Sequence, residues 1–590
     1  MQDRSEKFSR RNPSVSRRCS LAAIALAIAL SCSTLPLVAA QNTTHTDATE
    51  HIRGVVINSV THEPISHALV FSPDNSFAAM TDDRGRFEFT FTTAEPQQSG
   101  PPVTDGFQLN RGFQNPSPNR PSQLMARKVG FVDNAFSVVG PDQQDVIISL
   151  LPEARVVGRV IIPGSDGSDK IRVEIYRRAT RDGLEQWDSA GSVTTRADGQ
   201  FRLAELSPGD YKLLTLEHLD RDPLTTVPRG QLFGYSPLYY PNASDFASAA
   251  VIKLAPGETF QATMSPTKRA YYPVNLGFTT DIPNGFAITV WPEGHPGPGF
   301  SLGYDPQEAV IQGSLPDGTY TVQAKAYGPT MTAGAATLTV RGAPAVGPAV
   351  TLLRGVSVTV SVREEFQQKQ TEPTSGALFP QGPTTVPQNT RRPNYLQVNL
   401  APDEEFGLAS PVSLRPPVDE NDESLVIEHV LPGRYRVNVN TNIGYVSAIT
   451  SGSTDLLQKP LVIGAGGTIP AMEITVRDDG AELDGTLDSS KSSAAASVPP
   501  GRFGGPQDIV YVVPIDRMDS RTKMTGLNPD GAFAIPQIAP GTYHVFAVEN
   551  QVMQPGSEEW LKQHESKVQV LRVVAEQKEH LHLSLITASE

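Results

Sequence analysis

The chain has 590 residues, a formal net charge of −14 and 38% hydrophobic residues. A chain of this length folds as several domains, and its acidic balance argues against nucleic acid or an anionic membrane surface as the ligand. Its 48 glycines and 50 prolines favour many short strands joined by turns over long helices. Only residues 558–568 have a mildly helical pattern.

Residues 1–40 have the features of a signal peptide. Six basic residues precede an uncharged apolar run, and the segment ends in the small residues that a signal peptidase recognises. We therefore expect cleavage before Gln41 and an exported protein that is periplasmic, on the cell surface or secreted. Two alternatives stay open at this point: the segment could remain uncleaved as a membrane anchor, or Cys32 could carry a lipid.

Both cysteines of the chain, Cys19 and Cys32, lie within this signal. The exported part would then contain no disulfide, so each domain must be stable through its own hydrophobic core. No later segment is apolar enough to cross a bilayer, and we expect no membrane span after the signal.

The first module begins as strand, turn, strand, tight turn and strand. Asp82 and Gly85 predict a hairpin turn, after which Phe87 and Phe89 return to the core face. The stretch resembles the carboxypeptidase regulatory-like domain, a transthyretin-like β-sandwich in which a glycine begins the first strand. The Thr-Asp-x-x-Gly-x-Phe motif of that family is matched here by Thr81, Asp82, Gly85 and Phe87. The resemblance implies an accessory domain of the carbohydrate-binding-like fold, without the catalytic zinc domain.

A Pro-Gly turn followed by a tyrosine recurs four times, with the tyrosines 109, 115 and 108 residues apart. The tyrosines are Tyr211, Tyr320, Tyr435 and Tyr543. This period is the size of one small domain. Proline followed by glycine predicts a type II turn, in which the glycine takes a positive φ. Alternating residues after the turn predict a half-buried strand, with the tyrosine in the core and its hydroxyl bonded to nearby backbone.

These motifs, with five pairs of closing strands, predict an all-β protein. We expect a tandem array of about five Ig-like or transthyretin-like antiparallel β-sandwich modules after the signal peptide. The predicted limits are 1–40 for the signal peptide and 50–152, 153–265, 266–352, 353–478 and 479–590 for the modules. Short linkers predict a semi-rigid array. Three low-complexity insertions, 92–123, 367–393 and 489–507, are expected to be loops, with contact surfaces as the alternative.

The sequence lacks the motifs expected of an enzyme. It contains no His-x-x-Glu zinc motif, no Gly-x-Ser-x-Gly nucleophile and no phosphate-binding loop with a lysine. His580 and His582 share one face of a predicted strand but have no third ligand nearby. The acidic stretches 166–169 and 419–423 lack the spacing of a calcium-binding EF-hand. We therefore predict no enzyme activity, no metal and no cofactor.

Aromatic residues are the remaining candidates for a binding site. Trp187 is flanked by acidic and amide residues and is expected to be exposed, where its ring could stack against a sugar. Tyr239, Tyr240 and Trp291 are further candidates, although core packing explains Trp291 equally well. We predict an exported, non-catalytic binding or scaffold protein with polysaccharide as a partner. The alternative is a structural or partner-binding component of a cell-envelope complex with no small ligand.

Overall fold

A computed structural model describes most of the chain after Ala48. The described residues are 48–93, 121, 123–132, 136–139, 144–162, 170–181, 184–220, 230–279, 286–326, 331–367, 392–393, 395–403, 411–419, 421–464, 469–487, 508–516, 521–528, 531–549 and 558–586. The predicted signal peptide with both cysteines, and nearly all of the three insertions, lie outside these residues. The strands below are numbered in chain order, and their paired sheets are called sandwiches 1 to 5.

Sandwich 1 contains β1 (Ala48–Asn58), β2 (Leu69–Phe71), β3 (Ala78–Met80), β4 (Arg86–Thr93), β5 (Gln123–Arg127), β6 (Phe136–Val138) and β7 (Asp145–Leu150). The next segment contains β8 (Ala154–Val160), β9 (Arg172–Arg181), β10 (Leu184–Thr194), β11 (Gln200–Leu206), β12 (Gly209–Thr215), β13 (His218–Leu219), β14 (Leu232–Tyr235), β15 (Leu238–Tyr239), β16 (Ile252–Leu254) and β17 (Thr259–Met264). All of these except β13 and β14 form sandwich 2.

Sandwich 3 contains β18 (Lys268–Thr279), β19 (Phe286–Pro292), β20 (Gly303–Asp305), β21 (Val310–Pro316), β22 (Gly318–Ala326), β23 (Thr332–Val340), β24 (Ala345–Thr351) and β25 (Leu353–Arg354). Sandwich 4 contains β26 (Val356–Glu365), β27 (Leu396–Pro402), β28 (Val412–Ser413), β29 (Leu425–Val430), β30 (Gly433–Thr441), β31 (Tyr445–Ser451), β32 (Thr454–Asp455), β33 (Leu461–Ile463) and β34 (Met472–Arg477). Sandwich 5 contains β35 (Ala481–Leu487), β36 (Ile509–Pro514), β37 (Lys523–Gly526), β38 (Ala532–Ile538), β39 (Gly541–Val548), α1 (Glu558–Gln563), β40 (Gln569–Val573), β41 (Lys578–Leu583) and β42 (Leu585–Ile586).

Each sandwich encloses a separate hydrophobic cluster between its two sheets. The prediction of a tandem all-β array is confirmed, and α1 lies within the stretch that the sequence marks as helical. The residue limits of the five modules stay a prediction. No helix among the described residues has the length and apolar character needed to cross a membrane.

The sandwiches are all closed in the same way, which the sequence does not predict. A strand at or next to the end of each sandwich pairs in parallel with the first strand: β7 with β1, β17 with β8, β24 with β18, β34 with β26 and β41 with β35. Most of the other pairings are antiparallel. A parallel pair needs a long crossover connection, and here the whole sandwich serves as that connection. The chain therefore returns to the strand at which each sandwich began.

The four repeated tyrosines are core residues that bond to backbone, as predicted. They are at most 6% exposed. Each hydroxyl donates to the carbonyl oxygen four residues earlier: Tyr211 to Ser207 at 2.5 Å, Tyr320 to Pro316 at 3.0 Å, Tyr435 to Leu431 at 2.9 Å and Tyr543 to Ala539 at 2.7 Å. We call this arrangement the tyrosine corner. It satisfies a buried hydroxyl without a partner from outside the turn.

The type II turn predicted for these corners is wrong at three of them. Gly318, Gly433 and Gly541 do not have positive φ, and Gly209 has a φ of 146°. Gly318 and Gly541 instead make room for the tyrosine two residues later. A Cβ on Gly318 would lie 2.9 Å from the Tyr320 hydroxyl oxygen.

In three of the corners, the residue six positions before the tyrosine has a left-handed backbone conformation, with positive φ. We call it the left-handed residue of the corner. It is Glu205 (φ 58°), His429 (φ 61°) and Gln537 (φ 58°) in sandwiches 2, 4 and 5. At the same places, the register of the strand pair shifts by a β-bulge. Such a bulge bends the strand and lets it leave its sheet. The bend, and not the Pro-Gly step, therefore carries the chain towards the opposite sheet.

The Asp-Gly turn has the hydrogen bonds of a hairpin turn, because the Gly85 N–H donates to the Asp82 carbonyl and the Asp82 N–H donates to the Arg86 carbonyl, each at 2.9 Å. The strands that it joins, however, do not pair with each other. Gly85, Gly199 and Gly531 have φ of 71°, 78° and 77°. The strands on either side belong to different sheets, since β3 pairs with β2 whereas β4 pairs with β1. The same holds for β10 and β11 and for β37 and β38. The turn is an arch from one sheet to the other.

The phenylalanine after each arch packs over a glycine of the first strand. Phe201 pairs with Gly158 and Phe533 pairs with Gly485. A Cβ on those glycines would lie 2.6 Å and 2.7 Å from the aromatic rings, and a Cβ on Gly54 would overlap Phe87. The phenylalanine and the glycine therefore depend on each other, because only glycine leaves space for the ring.

Two substitutions of Tyr435 separate the contribution of its ring to stability from that of its hydroxyl. Tyr435→Phe removes one hydrogen bond and should lower the free energy of unfolding of sandwich 4 by about 1 kcal/mol. Tyr435→Ala also removes the buried ring and should cost about 3–5 kcal/mol. Hydrogen exchange of β26 and β30 in the full chain would measure both. Equal losses for the two variants would contradict a core role for the ring.

Candidate functional site

The tryptophan chosen from the sequence is buried, so its predicted exposure is wrong. Trp187 is 5% exposed. It packs with Tyr176, Leu214, Tyr239 and Phe246 on the outer face of the β9–β10–β12 sheet. Residues 236–250 cover this face of the sheet. The polar neighbours of Trp187 in β10 carry no information about a covering segment fifty residues further along the chain.

A buried lysine lies at the centre of this aromatic cluster. Lys212 is 4% exposed, and its Nζ donates to the carbonyl oxygens of Phe246 at 2.7 Å and Ala247 at 3.2 Å. The same ammonium lies 4.9 Å from the centroid of the Trp187 ring and 4.7 Å from that of Phe246. Cation–π contacts and charged hydrogen bonds together offset the loss of hydration. Lys212 therefore fastens the covering segment to the sheet, a role that a strand lysine does not reveal in sequence.

The other three aromatic candidates do not join into one exposed platform. Tyr239 is 2% exposed and belongs to the cluster of Trp187. Tyr240 is half-buried, with its ring 5.8 Å from that of Phe260. Trp291 is half-buried and follows the core residue Val290 in β19, so it lies on the outer face of its sheet. Of the four candidates, only Trp291 belongs to none of the hydrophobic clusters of the described residues.

Sandwiches 2 and 3 are joined by a strand as well as by a linker. Tyr235 of β14 packs in the core of sandwich 2, while β14 pairs antiparallel with β18, the first strand of sandwich 3. Residues 293–301 of sandwich 3 in turn contact sandwich 2. The Tyr239 hydroxyl donates to the Pro298 carbonyl at 2.5 Å. The backbone N–H of Glu217 donates to the Gly299 carbonyl at 3.1 Å. The two sandwiches thus share hydrogen bonds from both sides of their junction.

A buried carboxyl group lies within this junction. Oε1 of Glu217 accepts hydrogen bonds from the backbone N–H and the hydroxyl of Ser301, at 2.9 Å and 2.8 Å. Its Oε2 is also buried. Burial raises the pKa of Glu217 to about 7, against the hydrogen bonds from Ser301 and Tyr271 that lower it. Burial also raises the pKa of the neighbouring hydroxyl of Tyr271.

The described part of the chain contains no group of three residues that could hold a metal ion. His580 and His582 lie side by side on β41 and are exposed, with ring centroids 5.1 Å apart. The first contacts Asp484, and Nδ1 of the second lies 3.1 Å from the Thr486 hydroxyl. In the acidic stretch 419–423, Asp422 accepts from Arg415, which holds the pKa of that carboxyl well below its usual range. The stretch 166–169 lies outside the described residues.

Trp187→Ala should destabilise sandwich 2 by about 3–5 kcal/mol, because a buried aromatic ring is removed. The matched control is Trp291→Ala, which removes a tryptophan outside the core and should cost less. Thermal unfolding combined with hydrogen exchange of β9 and β12 would compare them. An unchanged melting profile for Trp187→Ala would show that this ring is not part of the folded core.

The Glu217 carboxyl should make the junction of sandwiches 2 and 3 sensitive to pH. Its pKa is higher in the folded chain than the ordinary value of 4.5, so its stabilising effect is complete below that value and is lost as pH rises through about 7. The difference between the pKa of Glu217 in the folded chain and its ordinary pKa corresponds to about 3 kcal/mol of folding free energy. Hydrogen exchange of β14 and β18 should therefore show less protection at pH 8 than at pH 5, after correction for the intrinsic rate. Glu217→Gln should abolish this difference, whereas Glu308→Gln, on an exposed turn of sandwich 3, should preserve it.

Comparison with protein-family models finds no match for the chain, and comparison with curated protein sequences finds none. Among solved structures, the chain is similar to the Bacillus anthracis TIE protein, with 9% identity, 71% of this chain and 68% of that chain covered, and a TM-score of 0.13. It is similar to the shaft pilin SpaA from Lactobacillus rhamnosus GG, with 10% identity, coverage of 37% and 98%, and a TM-score of 0.17. It is also similar to GBS52, the minor pilin of Streptococcus agalactiae, with 13% identity, coverage of 40% and 100%, and a TM-score of 0.17. Scores this low describe no shared overall arrangement, and we infer no function from these neighbours.

Proposed function

We propose that the chain is an exported, non-catalytic array of β-sandwiches that acts as a stiff spacer or scaffold in the cell envelope. The observation that carries this proposal is the construction of the junctions. At most three residues separate the last strand of one sandwich from the first strand of the next. A linker this short leaves little freedom for one sandwich to turn against another.

The tyrosine corners add contacts to these short linkers. The left-handed residue of a corner meets the residue just before the first strand of the same sandwich. The backbone N–H of Glu205 donates to Glu153 Oε2 at 3.2 Å, and that of Gly480 donates to Gln537 Oε1 at 3.3 Å. At the third such junction, a Cβ on Gly355 would overlap the backbone of His429. The left-handed residue at the bend of each strand therefore also contacts the linker from the preceding sandwich.

The resemblance to the carboxypeptidase regulatory-like domain is part of the same proposal for sandwiches 1, 2 and 5. Its support is the pairing of a first-strand glycine with the phenylalanine after the arch, which occurs in all three. In some metallocarboxypeptidases this domain follows the catalytic domain. Here it would contribute shape and surface alone.

Polysaccharide binding is a second candidate, favoured by the position of Trp291. The outer face around it is polar, since β22 places Thr321 beside Trp291 and Gln323 beside Thr289. A flat ring among hydroxyl and amide groups suits the apolar face of a sugar and its hydroxyls. The candidate for a sugar contact is therefore Trp291 in sandwich 3, in place of Trp187 in sandwich 2.

The spacer proposal predicts fixed distances between sandwiches. Residues 41–590 contain no cysteine, so two introduced cysteines would be the only spin-labelled sites. We expect the pair Gln261→Cys and Glu473→Cys, in sandwiches 2 and 4, to give a distance distribution about as narrow as Gln200→Cys with Gln261→Cys within sandwich 2. Pulsed electron paramagnetic resonance would measure both. A broad distribution for the first pair alone would contradict the proposal.

The polysaccharide proposal predicts that Trp291→Ala weakens capture on a glycan array at least tenfold while the melting profile stays close to that of the parent. Trp560→Phe, in the cluster under α1, is a matched aromatic control and should leave capture unchanged. If the parent binds no glycan on the array, the scaffold function stands without a sugar ligand.

A further inference from the structure

A small cavity lies at the junction between sandwiches 4 and 5. Its volume is about 60 Å³, and its polar lining consists of Asn440, Thr441, Tyr445, Arg521, Thr522 and Lys523. A single water needs about 10–15 Å³ measured in this way, so the cavity has room for a group of several heavy atoms. It is too small for a whole sugar ring with its substituents.

Two cationic side chains line the cavity from sandwich 5. Lys523 begins β37 and pairs with the core residue Val512, so its side chain lies at the end of the sandwich core. It has no hydrogen bond or ion pair among the described residues, and burial lowers its pKa. Arg521 Nη1 donates to the carbonyl of Val446 at 3.3 Å, across the junction in sandwich 4.

The carboxylate that is bonded to the cavity residue Tyr445 is already paired with another cation. Asp479 is 8% exposed, and its carboxylate accepts from Nε and Nη2 of Arg477 at 3.0 Å and 2.6 Å. It also accepts from the Tyr445 hydroxyl at 2.9 Å. The charge of Asp479 is therefore balanced by Arg477 and does not neutralise the Lys523 ammonium. A desolvated ammonium without a partner is costly, and an anion beside it would remove that cost.

We propose that this cavity binds a small oxyanion, a carboxylate or phosphate group, held by Lys523 and Arg521. The Asn440 amide on sandwich 4 can donate to the same group. A bound anion would connect the strands of one sandwich to those of the next. The inference goes beyond the spacer function, because it makes the stiffness of one junction depend on a ligand.

The experiment uses residues 41–590 with inorganic phosphate or acetate, and with sodium chloride at matched ionic strength. The readout is the rate at which an amine-acetylating reagent modifies Lys523, measured by mass spectrometry of the digested protein. We expect phosphate, acetate or both to slow this modification at least fivefold with a saturable dependence on concentration. Lys562, an exposed residue of α1, is the internal control and should keep its rate.

The variant Arg521→Gln distinguishes anion binding in the cavity from general effects of salt. Arg521→Gln should raise the half-saturating concentration at least tenfold, and Lys562→Gln should leave it unchanged. Protection by phosphate alone assigns the site to phosphate groups, and protection by acetate as well assigns it to oxyanions in general. Protection no greater than with chloride, or equal half-saturation in Arg521→Gln with an unchanged Lys562 rate, would overturn the proposal.

Discussion

The tyrosine corner, a buried ring whose hydroxyl bonds to the carbonyl four residues earlier, is the contact on which sandwiches 2 to 5 depend. It lies where the chain leaves one sheet and enters the other. In sandwiches 2, 4 and 5 the bend before it is a β-bulge with a left-handed residue, and that residue also meets the linker from the preceding sandwich. Core closure and junction geometry are therefore set by the same few residues.

The second and third sandwiches are joined more strongly than a short linker requires. The strand β14 belongs to the core of one sandwich and to the sheet of the next, so separating the two would break a strand pair and expose Tyr235. The junction also contains the Glu217 carboxyl, whose burial is tolerated because Ser301 donates two hydrogen bonds to it. Burial of this carboxyl explains why its pKa is raised to about 7, since a desolvated carboxylate is less stable than the neutral acid.

Two lysines of the array show how the surroundings decide the role of the same side chain. Lys212 is enclosed by carbonyl oxygens and aromatic rings, which satisfy its charge and make it a structural fastener. Lys523 lies at a cavity without such partners among the described residues, so its charge remains available to a ligand. Neither difference is visible in the local sequence, because the partners of each lysine, or their absence, depend on segments that are distant along the chain.

The sequence alone determined the features that depend on neighbours along the chain. The alternation after the corner places Tyr320 and Val322 in the core, the arch glycines need positive φ, and the glycine- and proline-rich composition favours short strands over long helices. What the tertiary structure decided depends on segments distant in sequence. A period of two shows that a strand has one buried face, but it does not show whether a later segment covers the other. Trp187 is buried for that reason, and the arch joins two sheets because pairing with a distant first strand outweighs pairing with the adjacent one.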